Sequence, residues 1–293
     1  MPDFRTKMPD ILNLLLRDQT RSLPDAPHNI IWANDNYTHI DPIAYAPTAQ
    51  ITPNLITGTH STLIVPRALK TADLQKERTK TRAEVFTPTW IVRKQNNAVN
   101  AAYCRDDLKT YVCRKWLEIT CGEAPYMATR YDMESGDTIP LHRRCGFVDR
   151  KLARINKKVA DKGEWQILAT LAYKASYGFE WNGDSLLLAR ENLLYTFCDY
   201  YQAKWQTAPT ELVLHDIATI ISFNLFQMDG LTGTIPLSQK RIKKENPQQL
   251  FSFADNDEGE KEEYEITPGE PAKIMDWDTL EMVAFHQLPE AVQ

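Results

Sequence analysis

A chain of 293 residues with 43% hydrophobic and 25% charged side chains can bury one substantial core, with or without an appended lobe. Eleven glycines are too few for a fibrous repeat or a glycine-rich phosphate loop, and no apolar run approaches the roughly 20 residues of a bilayer-spanning helix, so the cytoplasm is the expected compartment. A formal net charge of −5 argues against a stand-alone DNA binder, because phosphate contacts call for a basic surface.

Residues 1–80, rich in Pro, Asn and Thr, read as an N-terminal extension of irregular structure with short extended pieces at 29–32 and 61–65. A denser core follows over 81–237. A helix begins at Trp90, just after Pro88. Residues 111–119 read as a strand, and Pro125 stands where the first turn of a following helix tolerates a residue without an N–H. Residues 176–180 form the next strand in this reading. A helix over 185–201 comes after it, with apolar residues at 186, 187, 193, 194 and 197. A further helix closes at 217–221, and 222–227 reads as a third strand. Alternation of strand and helix predicts an α/β fold with a mainly parallel sheet, helices on both faces and ligands at the carboxyl ends of the strands.

An insertion at about 131–165 lengthens the step between the first two strands and is basic over 143–158. It reads equally well as a DNA-phosphate contact or as an ordinary surface helix pair. Residues 238–293 read as a charged C-terminal tail: basic at 240–244, an acidic, solvated or disordered loop over 255–265, then Lys273-Ile274-Met275-Asp276-Trp277.

The five cysteines, at 104, 113, 121, 145 and 198, contain no CxxC pair, and the six histidines show no metal-ligand spacing. Free buried thiols are expected and no metal site is. His215 reads as a helix residue satisfied by its surroundings. The strand ends are more informative, because Glu118, Glu180 and Asp229 all follow strand-like runs. One carboxylate at a strand end is ordinary. Three at the same edge of one sheet offer acceptors for an amine, a ribose diol and an adenine amino group.

Four segments in order sharpen this. Phe86-Thr87-Pro88 precedes an apolar helix. Leu117-Glu118-Ile119-Thr120-Cys121-Gly122-Glu123-Ala124 runs from strand into loop. Gly178-Phe179-Glu180-Trp181 is followed by Ala189-Arg190-Glu191-Asn192-Leu193. Asn224-Leu225-Phe226-Gln227-Met228-Asp229-Gly230-Leu231 closes the set. Together they resemble the cofactor-binding motifs of the adenine-specific DNA methyltransferases of restriction–modification systems.

The resemblance implies a Rossmann-like fold and an S-adenosyl-L-methionine site. Phe86, Thr87 and Pro88 would close over the methionine part, and Glu118, Thr120 and Gly122 would form the cofactor loop. Glu180 would hold the ribose hydroxyls with Trp181 against the adenine, and Asp229 and Gly230 would lie at the adenine amine. Glu118, Ile119, Ala124 and Met228 depart from the family's Asp, Pro, Gly and Gly. The family's catalytic Asn/Asp-Pro-Pro-Tyr/Phe motif, which holds a flipped-out base, is absent from the sequence, so no catalytic residue is assigned. The function implied is the cofactor-binding part of an adenine-specific enzyme acting on double-stranded DNA, with catalysis needing a further segment or a catalytic or specificity subunit. The alternative is a non-catalytic accessory subunit of a modification or restriction complex.

Overall fold

The computed structural model describes residues 3–70, 87–243 and 264–287. At its centre is a parallel sheet of three strands, β1 (Trp116–Glu118), β2 (Ser176–Glu180) and β3 (Leu225–Gln227), in the order β1-β2-β3. Trp116 pairs with Ser176 and Gly178 with Leu225, which brings the carboxyl ends of all three strands to one edge. Every residue of β2 is buried, as befits a central parallel strand covered on both faces. The α/β expectation therefore holds at the level of a mixed fold around a small parallel sheet.

Helices α1 (Phe4–Lys7), α2 (Pro9–Leu16) and α3 (Pro53–Ile56) precede the sheet, and α4 (Thr89–Tyr103) and α5 (Leu108–Cys113) lead into β1. Residues 111–113, expected in a strand, are helical instead. Asp107 caps that helix by accepting from Thr110 N at 3.1 Å, and this local start signal outweighs the β-branched run. Pro125 does not open a helix. Ala124 before it sits at φ +59°, outside the right-handed region, and residues 121–128 form a turn.

The crossover is made by α6 (Phe147–Lys158) and α7 (Lys162–Lys174), the latter capped by Asp161. After β2 comes α8 (Gly183–Trp205), buried nearly all round and packed on β2 and β3. Helix α9 (Glu211–Asn224) runs through residues 222–224, so the third strand begins only at Leu225. Asn224 ends this helix with its side-chain amide on the carbonyls of Tyr173, Lys174 and Ser176, which ties it to the start of β2.

The stretch 189–193 explains much of the assembly. Arg190 is fully buried and donates to the carbonyls of Leu15, Arg17, Ser222 and Leu225, so the C-termini of α2 and α9 converge on one guanidinium. Glu191 takes a bidentate pair from Arg5 at 2.6 and 2.7 Å. Asn192 donates to Glu123 O and to the Tyr131 hydroxyl. Three consecutive polar residues thus fasten the N-terminal segment, the third strand and the loop after β1 to one helix.

Residues 3–70 are irregular for most of their length, as expected, yet they share the main core. Phe4, Leu12, Leu15, Leu16, Ile30 and Trp32 are buried in the same cluster as Trp165 and Phe197, and α2 lies along α9. The C-terminal segment forms two antiparallel ribbons, β4 (Lys240–Lys243) with β5 (Tyr264–Thr267), and β6 (Lys273–Asp276) with β7 (Glu281–Ala284). Ala272 and Ile274 pack with Tyr177, Phe179 and Phe226 in a second cluster that covers one face of the sheet. The acidic run lies mostly outside the described residues.

Candidate functional site

The loop after β1 is built around two carboxylates. Glu118, at the end of β1, is buried and accepts from Tyr126 N at 3.1 Å and Met127 N at 2.8 Å. Glu180, at the end of the neighbouring strand, accepts from Gly122 N at 2.8 Å through Oε2, and from Asn182 N and Nδ2 through Oε1. One loop therefore spends three backbone N–H groups on two adjacent strand ends. It does so by entering the left-handed region three times, at Thr120 (φ +45°), Gly122 (φ +54°) and Ala124 (φ +59°). Gly178 in β2 lets the loop approach, since a Cβ there would lie 3.3 Å from Met127 Sδ and 3.5 Å from Cys121 Cβ.

Burial dominates the electrostatics. Desolvation pushes Glu118 up to about 8, opposed by the two amides and reinforced by the nearby Glu180. Glu180 is also raised by desolvation, partly offset by its amide donors. Cys121, between them, is driven well above the ordinary thiol range by burial and by both carboxylates, and is no nucleophile at neutral pH. Cys145 and Cys198 are likewise buried, whereas Cys104 and Cys113 are exposed, contrary to the expectation of buried thiols throughout.

The sequence-predicted residues separate into groups. Glu118, Gly122 and Glu180 come together directly, and Thr120 lies exposed on the same loop. Trp181 is half-buried with its indole N–H held by Ala33 O at 2.8 Å. Asp229 closes its own turn, accepting from Leu231 N and the Thr232 hydroxyl. Gly230 is needed for that turn to pack, because a Cβ there would meet the Phe179 ring at 2.8 Å. Thr87 and Pro88 lead into α4, and Phe86 lies outside the described residues.

Sequence reasoning missed the cover over this edge. Gly183 N donates to Trp32 O, and the Gln227 side chain bonds both the N–H and the carbonyl of Ile31 and also Trp181 O. Residues 31–34 thus lie across the carboxyl ends of β2 and β3, where a ligand was expected. The extended, apolar 29–32 piece was visible in the sequence, but its tertiary partner was not.

Open space lies on the other side of the loop. A cavity of about 640 Å³ is bounded by Gln95, Asn96, Val99 and Tyr103 of α4 and by residues 114–119 around β1. Of the predicted site residues that are described, only Glu118 reaches it. The basic run 143–158 also proves largely structural. Lys151 is buried on Arg114 O, Ala175 O and Ser176 Oγ, Arg144 pairs with Asp199 at 2.8 Å, and Arg154 covers the Tyr111 ring. His142, Arg143, Lys157 and Lys158 remain exposed.

Among the described residues no helix is long and apolar enough to cross a membrane. No protein-family model, curated protein or solved structure matches the chain.

Proposed function

We propose that this chain is the S-adenosyl-L-methionine-binding part of an adenine-specific DNA methyltransferase, with methyl transfer completed by another segment or polypeptide. One observation carries the reading. The Glu118–Met127 loop gathers its amides on carboxylates at two adjacent parallel strand ends, with left-handed backbone at positions 120, 122 and 124. Such a loop lets main chain approach a ligand closely, and Gly122, which donates to Glu180, is half-buried beside exposed Ile119 and Thr120. In this role Glu180 Oε2 keeps a lone pair for a ribose hydroxyl, and turning Asn182 Nδ2 away frees one lone pair of Oε1 for the second, the other staying on Asn182 N. No catalytic step is assigned to the chain, because the sequence offers no Asn-Pro-Pro-aromatic motif to hold a target amine.

The cover formed by residues 31–34 favours a second reading, a non-catalytic accessory subunit in which the loop and Glu180 only stabilise one another. Ultraviolet crosslinking of radiolabelled S-adenosylmethionine, followed by peptide mapping, separates the two. Label in residues 118–127 or 180–182 supports the cofactor role. An unlabelled chain at saturating cofactor refutes it and leaves the accessory reading.

A further inference from the structure

Among the described residues, Glu118 is the one predicted cofactor residue that lines the 640 Å³ cavity between α4 and β1, and the cavity's walls have a chemistry of their own. Four of its lining side chains are aromatic: Tyr103, Trp116, Tyr126 and Phe147. Trp116 is the hub, with its ring 5.2 Å from Phe147 and 6.1 Å from Tyr103. Flat aromatic surface spread over one wall suits a flat aromatic guest.

The polar groups are as specific. Asn96 is only 4% exposed and lines the cavity, yet its amide donates outward to Tyr126 O and Cys145 O. Its Oδ1 has no donor among the described residues, so it presents an acceptor suited to an exocyclic amine. Gln95 fixes the Tyr126 hydroxyl by accepting from it. At the amino end of β1, Arg114 and Lys115 also line the cavity. Arg114 lies over the Tyr103 ring at 4.7 Å and is held at two points by the largely buried Asp106, while Lys115 makes an exposed pair with Asp278. The exposed Lys115–Asp278 pair contributes about 0–1 kcal/mol and leaves the ammonium open to a phosphate, which would share Arg114 with Asp106. An aromatic wall, a buried amide acceptor and two cations at one end match a nucleobase carrying a phosphate. A hydrocarbon would leave the polar groups unpaired, and a cationic ligand would face Arg114 and Lys115.

We propose that the α4–β1 cavity is a nucleotide subsite, in which the base stacks on Trp116, meets Asn96 Oδ1, and directs its phosphate to Arg114 and Lys115. The site stands on the cavity alone, independently of cofactor binding. The nucleotide has two sources, a free mononucleotide or an unstacked nucleotide of a DNA strand.

Titration of the whole chain with dAMP, and separately with a single-stranded oligonucleotide bearing one 2-aminopurine, reads both. Saturable dAMP binding that Trp116→Leu weakens about 5- to 150-fold supports the subsite, the range corresponding to the roughly 1–3 kcal/mol of a base–aromatic stack. Val99→Arg narrows the mouth from an exposed position of α4 and should abolish binding with the thermal melt unchanged, which controls for misfolding. Arg114→Gln should weaken dAMP and leave the nucleoside unaffected. A 2-aminopurine signal that dAMP displaces assigns the strand as source, and dAMP binding without an oligonucleotide response assigns the free nucleotide. Absence of binding by either probe, or binding indifferent to both Trp116→Leu and Val99→Arg, overturns the proposal. S-adenosylmethionine binding with no nucleotide binding would leave the cofactor reading intact and remove this one.

Discussion

Replacing Glu118 by Gln tests whether a buried carboxyl governs the loop. Its folded-state pKa, raised to about 8 by desolvation, lies above the ordinary 4.5, so the folded protein holds the proton more tightly than the unfolded chain. That contribution is complete below about pH 4.5 and is lost as pH rises through about 8. At about 1.4 kcal/mol per pH unit, an interval of about 3.5 units sets a ceiling of about 5 kcal/mol on the difference between the two limits. Glu118→Gln removes the titration. It also sets an amide N–H against Tyr126 N or Met127 N, a pH-independent loss of roughly 1–3 kcal/mol. Urea melts of both proteins from pH 5 to 8.5 isolate Glu118, since Asp149 and Lys151, displaced by burial to about 6 and about 7, titrate in both. The variant should be roughly 1–3 kcal/mol less stable than wild type at pH 5, and the difference should shift in its favour by about 4 kcal/mol, enough to invert it, by pH 8.5. Parallel pH profiles would refute the argument.

Gly183→Ala should cost stability at the upper end of the roughly 1–3 kcal/mol of overpacking, because the new Cβ would lie 2.1 Å from Ile31 O; chemical denaturation reads this directly. Ala124→Gly should change stability by less than about 1 kcal/mol, since the relief of roughly 1 kcal/mol of left-handed strain offsets the loss of one buried methyl. Ala189→Gly inside α8 serves as its control, losing about 2 kcal/mol from helix propensity and burial together. Arg190→Met should destabilise by about 3 kcal/mol or more, because four main-chain carbonyls lose their donor; thermal melts check it.

Local signals carried much of this fold, and tertiary ones decided the rest. The short strand at 176–180 and the apolar spacing of the helix after it were readable, and both elements stand within a few residues of their expected bounds. The 111–119 run misled because the cap at Asp107 lies upstream of it and turns its first residues helical. Phe223, Asn224 and Leu225 look alike in a strand or a helix. What separates them is Asn224 reaching the carbonyls at the start of β2, a contact across some 50 residues. For the site, the spacing of Glu118 and Glu180 at strand ends was legible and the shared loop amides follow from it. The cavity was not legible, since its aromatic wall draws Tyr103, Trp116, Tyr126 and Phe147 from four separate stretches. Nor was the structural use of Arg144 and Lys151, which looked like part of a basic face until their buried partners were seen.

Isothermal titration of the chain with S-adenosylmethionine, without DNA, tests the central claim most directly. The account predicts saturable one-to-one binding that Glu180→Gln weakens at least tenfold while the fold survives. Wild-type protein that takes up no cofactor, or binding that Glu180→Gln leaves unchanged, would contradict it.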